Sequence, residues 1–221
     1  MKIATWNVER LKHKDKVNQI IAECEKIKAD ILVLTETDSR IHPDYQNCFQ
    51  TPLPANMQSS IYMSTENRVS IFTNYPCICQ HQTYDINTSI CVELDTEYGN
   101  LLVYGTIIGI FGNRHRSFQL DLEKQTADFR RLVADGRNLC VCGDYNLSFS
   151  DNFYFTTSGR LGIIKSFEEN NIRLLTSEQS ECIDHVAISI DFVGNSRIHI
   201  EEWNLDKKLS DHKGISVELF S

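Results

Sequence analysis

Residues Asn138 to Cys142 form a short apolar run that stops at Gly143-Asp144-Tyr145-Asn146. Such a run reads as a buried strand, and the glycine permits a sharp turn at its end. Side chains two apart on an extended backbone point the same way, so Asp144 and Asn146 are expected to face one spot. A carboxylate beside a neutral amide suits a phosphate and a hard divalent cation. An acid and an amide after a strand also form ordinary turns, and this segment alone does not separate the two readings.

The chain has 221 residues, enough for one sizeable core, and neither a linker, a repeat nor a low-complexity tract divides it; a single domain over residues 1–221 is expected. With 41% hydrophobic and 24% charged residues it has the balance of a soluble globular protein. No apolar run is long enough to cross a bilayer, so no membrane partner is expected. Met1 to Trp6 runs straight into strand-like sequence without a signal peptide's regions, which points to the cytoplasm. The eight cysteines fit reduced thiols there. Cys77 with Cys79 and Cys140 with Cys142 lie in strand-like runs without zinc-site gaps, and are expected in the core. The net charge of −8 argues against non-specific attraction to long duplex DNA, but not against a local basic patch.

Met1 to Asn7 reads as a first strand. Asp15 is a candidate cap for a helix whose apolar face is Val17, Ile20, Ile21, Cys24 and Ile27. Ile31 to Thr35 is a continuous apolar run, a strand covered on both faces, ending at Glu36. Strand, helix, strand at this length is a layered α/β start. Arg40 to Gln58 reads as a polar surface loop, and Ile61–Met63 with Val69–Thr73 as a hairpin. Further strands are predicted at Cys77–His81, Ser89–Leu94 and Leu101–Ile108, then a helix marked by Phe118, Leu122, Phe129, Leu132 and Val133. A shorter helix is predicted near Leu161–Glu169, followed by strands at Ile172–Leu175, Ile183–Ile188, Ile198–Trp203 and Ile215–Phe220. The hairpins imply antiparallel pairing, hence an α/β (α+β) class with mixed sheets.

Several of these runs end in acid, amide or histidine: Asn7 with Glu9, Glu36, Asp144 with Asn146, Asp184 with His185, and Asp211 with His212. Polar groups at strand ends converge on one rim when sheets pack face to face. Singly, each also fits a turn or a cap.

In this order, Trp6-Asn7, Thr35-Glu36-Thr37, Gly143-Asp144-Tyr145-Asn146, Ile183-Asp184-His185 and Ser210-Asp211-His212 resemble the endonuclease/exonuclease/phosphatase superfamily. The resemblance covers nearly the whole chain and implies a four-layer αββα sandwich, two mixed β-sheets flanked by helices. It also implies Mg2+ or Mn2+, with Glu36 as main ligand, Asn7 and Glu9 nearby and Asp211 as a further acidic ligand. Asp144 and Asn146 would position the attacking water and the phosphate, with Asn7 also near the phosphate. His212, oriented by Asp184, would act on the scissile phosphate as base or as cation.

The chain departs from the family in the middle. Relatives carry Tyr or His after the central strand, where this sequence has Thr106 in Val103-Tyr104-Gly105-Thr106. Either Thr106 contacts the phosphate or the basic stretch Asn113-Arg114-His115-Arg116 does, through Arg114, His115 or Arg116; a solvated loop is the plain alternative. The resemblance therefore implies a divalent-metal-dependent phosphoesterase. The Ile-Asp pattern at Ile183-Asp184 favours a nuclease acting on DNA or RNA. The alternatives are a phosphomonoesterase on a small phosphorylated metabolite or phosphoinositide, and a catalytically silent binding module of the same fold.

Overall fold

The computed structural model describes residues 1–12, 14–52 and 63–220, with backbone alone for residues 11 and 14. Twelve strands lie in the described residues. The first sheet holds β1 (Lys2–Asn7), β2 (Ile31–Asp38), β3 (Asn47–Gln50), β4 (Glu66–Thr73), β11 (Arg197–Trp203) and β12 (Gly214–Phe220), in the order β11-β12-β1-β2-β4-β3. The second holds β5 (Cys77–His81), β6 (Ser89–Thr96), β7 (Gly99–Ile107), β8 (Asn138–Asp144), β9 (Ile172–Leu174) and β10 (Asp184–Ser189), in the order β5-β6-β7-β8-β10-β9. Each sheet contains one parallel pair, β1 with β2 and β7 with β8. A parallel pair needs a crossover, supplied by α1 (Val17–Ile27) in the first sheet and α2 (Phe118–Val133) in the second.

Alternation along the strands builds the layers. Ile31 and Val33 face the other sheet and join Ile3, Ile71, Val92, Val103, Cys140 and Val186 in the core between the sheets. Leu32 and Leu34 point the other way and meet Ile20, Cys24 and Trp6 under α1. On the outer face of the second sheet, Tyr104, Phe129, Val141 and Phe167 pack under α2 and α3 (Thr157–Glu169). These are the two mixed sheets with flanking helices that the sequence predicts. No helix among the described residues is long and apolar enough to cross a membrane.

The departures are local. β3 lies inside the stretch read as a loop, because it pairs along β4 and half-buries Phe49 against the inter-sheet core. Ile61 and Tyr62 of the predicted hairpin lie outside the described residues; β4 pairs with β2 and β3 instead. Asp15 does not cap α1: Lys16 holds that position, without a side-chain cap, and Asp15 sits in a preceding 3-10 turn. α3 starts four residues earlier than its apolar pattern indicates, because the Thr156 hydroxyl accepts from the Gly159 amide. A short helix, α4 (Ile190–Val193), follows β10 directly. Of the eight cysteines, all free, Cys140 and Cys142 are buried as expected, but Cys79 is exposed and Cys77 half-buried. The reason is that β5 is the edge strand of its sheet.

Candidate functional site

The site lies where β1, β2, β8 and β10 meet at one end of the sandwich. Gly143 makes the approach possible. Its φ is +144°, and a Cβ there would lie 2.0 Å from the Thr106 carbonyl oxygen. β8 therefore runs close against β7 and delivers Asp144 directly opposite Asp184, its partner in the register with β10.

Asn7 joins the sheets. Its Nδ2 donates to Asp144 Oδ2 at 3.0 Å, and its Oδ1 accepts from the Glu9 amide at 2.8 Å. The Asn146 amide donates to the other Asp144 oxygen at 2.8 Å. Asp144 is thus a buried, doubly bonded carboxylate. Burial pushes its pKa up to about 7; the His212 cation works against that rise, and Asp184 and Glu36 add to it.

His212 is held from several sides. Its Nδ1 donates to Asp184 Oδ2 at 2.6 Å. Its amide donates to Ser210 Oγ, which in turn donates to the Asn7 carbonyl at 2.6 Å. Its carbonyl accepts from Trp6 Nε1 and Asn204 Nδ2. Burial disfavours the imidazolium, but Asp184, Asp144 and Asp211 outweigh it and push the pKa up to about 10. His212 is therefore a cation near neutral pH. Its Nε2 lies 3.7 Å from Asp211 Oδ1, on the side of a cavity of about 260 Å³ lined by Asn146, Phe153, Tyr154, Lys207 and Lys213.

The acidic side is looser. Glu36 sits within β2, which continues to Asp38, and has φ +45°. The register with β4 is the same on either side of it, Thr35 with Val69 and Thr37 with Asn67, so the strand does not end there as the sequence predicts but runs on to Asp38. Glu9 accepts from Lys12 Nζ at 2.7 Å and from the Asp211 amide at 3.2 Å. The hydrogen bond to Glu9 raises the Lys12 pKa against partial burial, and Asp211 and Glu36 add to the rise. An ammonium group is thus already drawn into this field. The donors are hard oxygens, the type that Mg2+ and Mn2+ take, so the residue set fits such an ion. The carboxylates do not close into a compact trio. Among the described residues, the one group of three Asp, Glu, His or Cys with all ligand atoms within 4.8 Å of one another is Cys79, His81 and Glu93, elsewhere in the fold.

The residues expected to grip the phosphate separate. Thr106 is on the outer face of β7 with Tyr104, and its hydroxyl donates to Gln125 Oε1 of α2 at 2.5 Å. It does not reach Asp144; Ile107 is the β7 residue paired with Asp144. Arg114, His115 and Arg116 are exposed on the β7–α2 loop, where the His115 ring packs 5.0 Å from Phe111 and its Nδ1 meets Ser117 Oγ. Asn146 spends its Nδ2 on the Ile108 carbonyl, at the start of that loop. Further groups shape the site. Buried Asn113, from the stretch proposed to grip the phosphate, ties the loop to the Asn146 carbonyl at 2.7 Å, and among the described residues its Oδ1 has no partner. Ser210 is the strut between Asn7 and His212. Lys12, Lys207 and Lys213 stand near the rim, paired with Glu9, Glu181 and Glu202. Only Ser210, inside Ser-Asp-His, stood in a recognisable motif.

The Endonuclease/Exonuclease/phosphatase family model matches residues 4–212. No curated protein matches the chain in sequence. Among solved structures, the 3′ phosphatase NExo from Neisseria, bound to product DNA hairpin, is similar at 15% identity and a TM-score of 0.72, with 100% of both chains covered. An AP endonuclease from Archaeoglobus fulgidus gives 13% identity and a TM-score of 0.70, over 99% of each chain. Beta toxin from Staphylococcus aureus, with bound magnesium ions, gives 15% and 0.63, over 100% of this chain and 99% of that one. At such identities the likeness is one of fold.

Proposed function

The chain belongs to the endonuclease/exonuclease/phosphatase family, and from that premise we propose that it is a divalent-metal-dependent phosphodiesterase with nucleic acid as its favoured substrate. The observation that carries this reading is the meeting of two oppositely biased groups at one end of the sandwich, Asp144 at the end of β8 and His212 in the loop before β12. Asp144 is a carboxylate whose pKa is pushed up to about 7, and His212 is an imidazolium held by Asp184 at 2.6 Å.

Glu36 would hold the Mg2+ or Mn2+ ion, with Glu9, Asp211 and Asn7 beside it; when bound, the ion withdraws charge from a phosphoryl oxygen and steadies the departing one. The chain's own residues supply the rest. Asp144 Oδ accepts a proton from the attacking water, which its raised pKa favours at neutral pH. Asn7 Nδ2 and the Asn146 amide hold the carboxylate in place for that transfer. His212 Nε2 donates a charged hydrogen bond to a non-bridging phosphoryl oxygen as negative charge builds there, while Asp184 fixes the tautomer. The water oxygen bonds to phosphorus, the ester oxygen leaves, and solvent protonates it. Arg114 and Arg116, exposed on the β7–α2 loop, supply positive charge for flanking phosphates. The Neisseria and Archaeoglobus neighbours, a DNA-bound 3′ phosphatase and an AP endonuclease, support the preference for nucleic acid.

The test is turnover with Mg2+ or Mn2+, against chelator, over single strands, abasic duplexes, nucleotides and phosphoinositides. Metal-dependent cleavage of a nucleic acid is expected. Exclusive release of inorganic phosphate from monoesters would replace the diester reading, and no turnover on any substrate would leave a silent binding module.

A further inference from the structure

We propose that Cys79, His81 and Glu93 form a second metal site, for a borderline-soft divalent ion of the Zn2+ type, on the edge of the second sheet. It shares no residue with the catalytic rim, and β6 and β7 separate its strand from β8.

A β-bulge builds the site. Cys77 pairs with Leu94 and Cys79 with Glu93, so Ile78 is an extra residue opposite no partner. Leu94 faces the inter-sheet core, and Cys77 packs against the same core. Beyond the bulge the strand has turned over. Cys79 and His81 then share a face with Glu93, on the side where Cys91 joins the outer core. Without the extra residue, Cys79 and His81 would lie on the opposite face from Glu93.

The ligand atoms converge. Cys79 Sγ lies 3.3 Å from His81 Nε2 and 3.6 Å from Glu93 Oε2, and those two lie 2.9 Å apart. Zinc bonds of about 2.3 Å to sulfur and about 2.0–2.2 Å to nitrogen and oxygen, set tetrahedrally, give edges of about 3.4–3.6 Å. The triangle is thus close to one face of a zinc tetrahedron and opens by a few tenths of an ångström to admit the ion. The fourth position faces solvent, since Cys79 is exposed and the other two are half-buried. Asn100 Nδ2 donates to Glu93 Oε1 at 3.4 Å, which orients the carboxylate from behind. One thiolate, one imidazole and one carboxylate select Zn2+ over Mg2+ or Ca2+, whose preferred donors are all oxygen. On binding, the Cys79 thiol proton leaves to solvent and the ion takes its place among the three groups. The edge strand β5 is thereby fastened to β6 by a side-chain clip beyond its backbone ladder.

The probe is Co2+, added to chelator-treated full-length protein and followed by absorption. A Cys79 thiolate in a four-coordinate site gives a sulfur-to-cobalt charge-transfer band and intense visible bands. The oxygen ligands of the catalytic rim give neither, so the signal reports this site alone. The band is expected in wild type and in C77S, to vanish in C79S, and to be displaced by Zn2+. H81A and E93Q are expected to lower Zn2+ affinity by about 100-fold or more, at or beyond the upper end seen for losing an outer-shell partner. Protection of Cys79 from alkylation by Zn2+, read by mass spectrometry on wild type, tests the site without any variant. Absence of the band, its survival in C79S, or alkylation of Cys79 at an unchanged rate with saturating Zn2+ would each overturn the proposal, leaving a His81–Glu93 ion pair with a nearby thiol.

Discussion

Asp144 and Asp184 face each other across a strand pair, yet their surroundings divide the work between them. Asp184 gives one oxygen to His212, and among the described residues its other, buried oxygen has no partner, so its proposed role is to hold the ring. Asp144 carries the raised pKa. His212→Ala should therefore lower kcat by about 10² or more, the scale for removing one charge stabiliser. Asp184→Asn should act in the same direction, and the double variant should lose little beyond His212→Ala, because the pair acts as a unit. Fully additive losses in steady-state kinetics would show the two to be independent. Glu36→Gln removes one anionic oxygen from the proposed ion site and leaves the strand backbone in place. Activity should fall steeply at low Mn2+ and recover in part when Mn2+ is raised; wild-type turnover at low Mn2+ would take Glu36 out of the site.

Among the elements, the β7–α2 connection is the proposed grip on the substrate. Asn113 and Asn146 fix its base, and Arg114 and Arg116 project from it. Arg114→Ala or Arg116→Ala should weaken kcat/KM by about 1.5–3 kcal/mol, the range for a hydrogen bond to a charged group. Either should also flatten the salt dependence on nucleic acid by about one unit for each phosphate left unneutralised. Thr106→Val belongs to a different class. It strips Gln125 Oε1 of its buried donor, so it should cost about 1–3 kcal/mol of stability with kcat/KM nearly unchanged. A large kinetic loss at unchanged melting temperature would instead put the hydroxyl in the site. Thr106 also shows where sequence reading stops. The apolar runs Ile31–Thr35 and Asn138–Cys142 announced buried strands, and the 3.6-residue pattern of Phe118, Leu122 and Phe129 announced α2. Which face of β7 meets the site depends on a one-residue register, to which composition is blind. The continuation of β2 past Glu36, the bulge at Ile78 and the Thr156 cap are settled by tertiary pairing or a single hydroxyl bond. None leaves a periodic signal. Asn7, Asp144 and Asp184 stood out because each ends or opens an apolar run, and His212 because it stands in Ser210-Asp211-His212.

At the scale of the whole molecule, the buried titrating groups oppose one another. His185 is enclosed between the Thr176 hydroxyl and the Leu147 carbonyl. Burial pushes its pKa down to about 4 from 6.5, against the pull of the Leu147 carbonyl and Asp184. Between those values the unfolded chain binds the extra proton, so the contribution of this group is complete above 6.5 and is lost as pH falls towards 4. Asp144 has the opposite sign. Its pKa is raised from 3.8 to about 7, so the folded chain binds the extra proton over that range and stability falls as pH rises. Each contributes a slope of about 1.4 kcal/mol per pH unit inside its window. From pH 5 to 6.5, above the ordinary carboxylate range, the two slopes cancel. His212 takes over above that. Its pKa is raised from 6.5 to about 10, so its contribution is complete below 6.5 and is lost as pH rises through the alkaline range. Wild-type stability from urea unfolding should therefore be nearly level from pH 5 to 6.5 and decline beyond. Asp144→Asn removes one of the opposing groups and leaves His185 in place. In that variant stability should climb by about 1.4 kcal/mol per pH unit between pH 5 and 6.5, whatever the substitution does to its absolute value. A level profile in Asp144→Asn would mean that His185 is not held neutral by the fold.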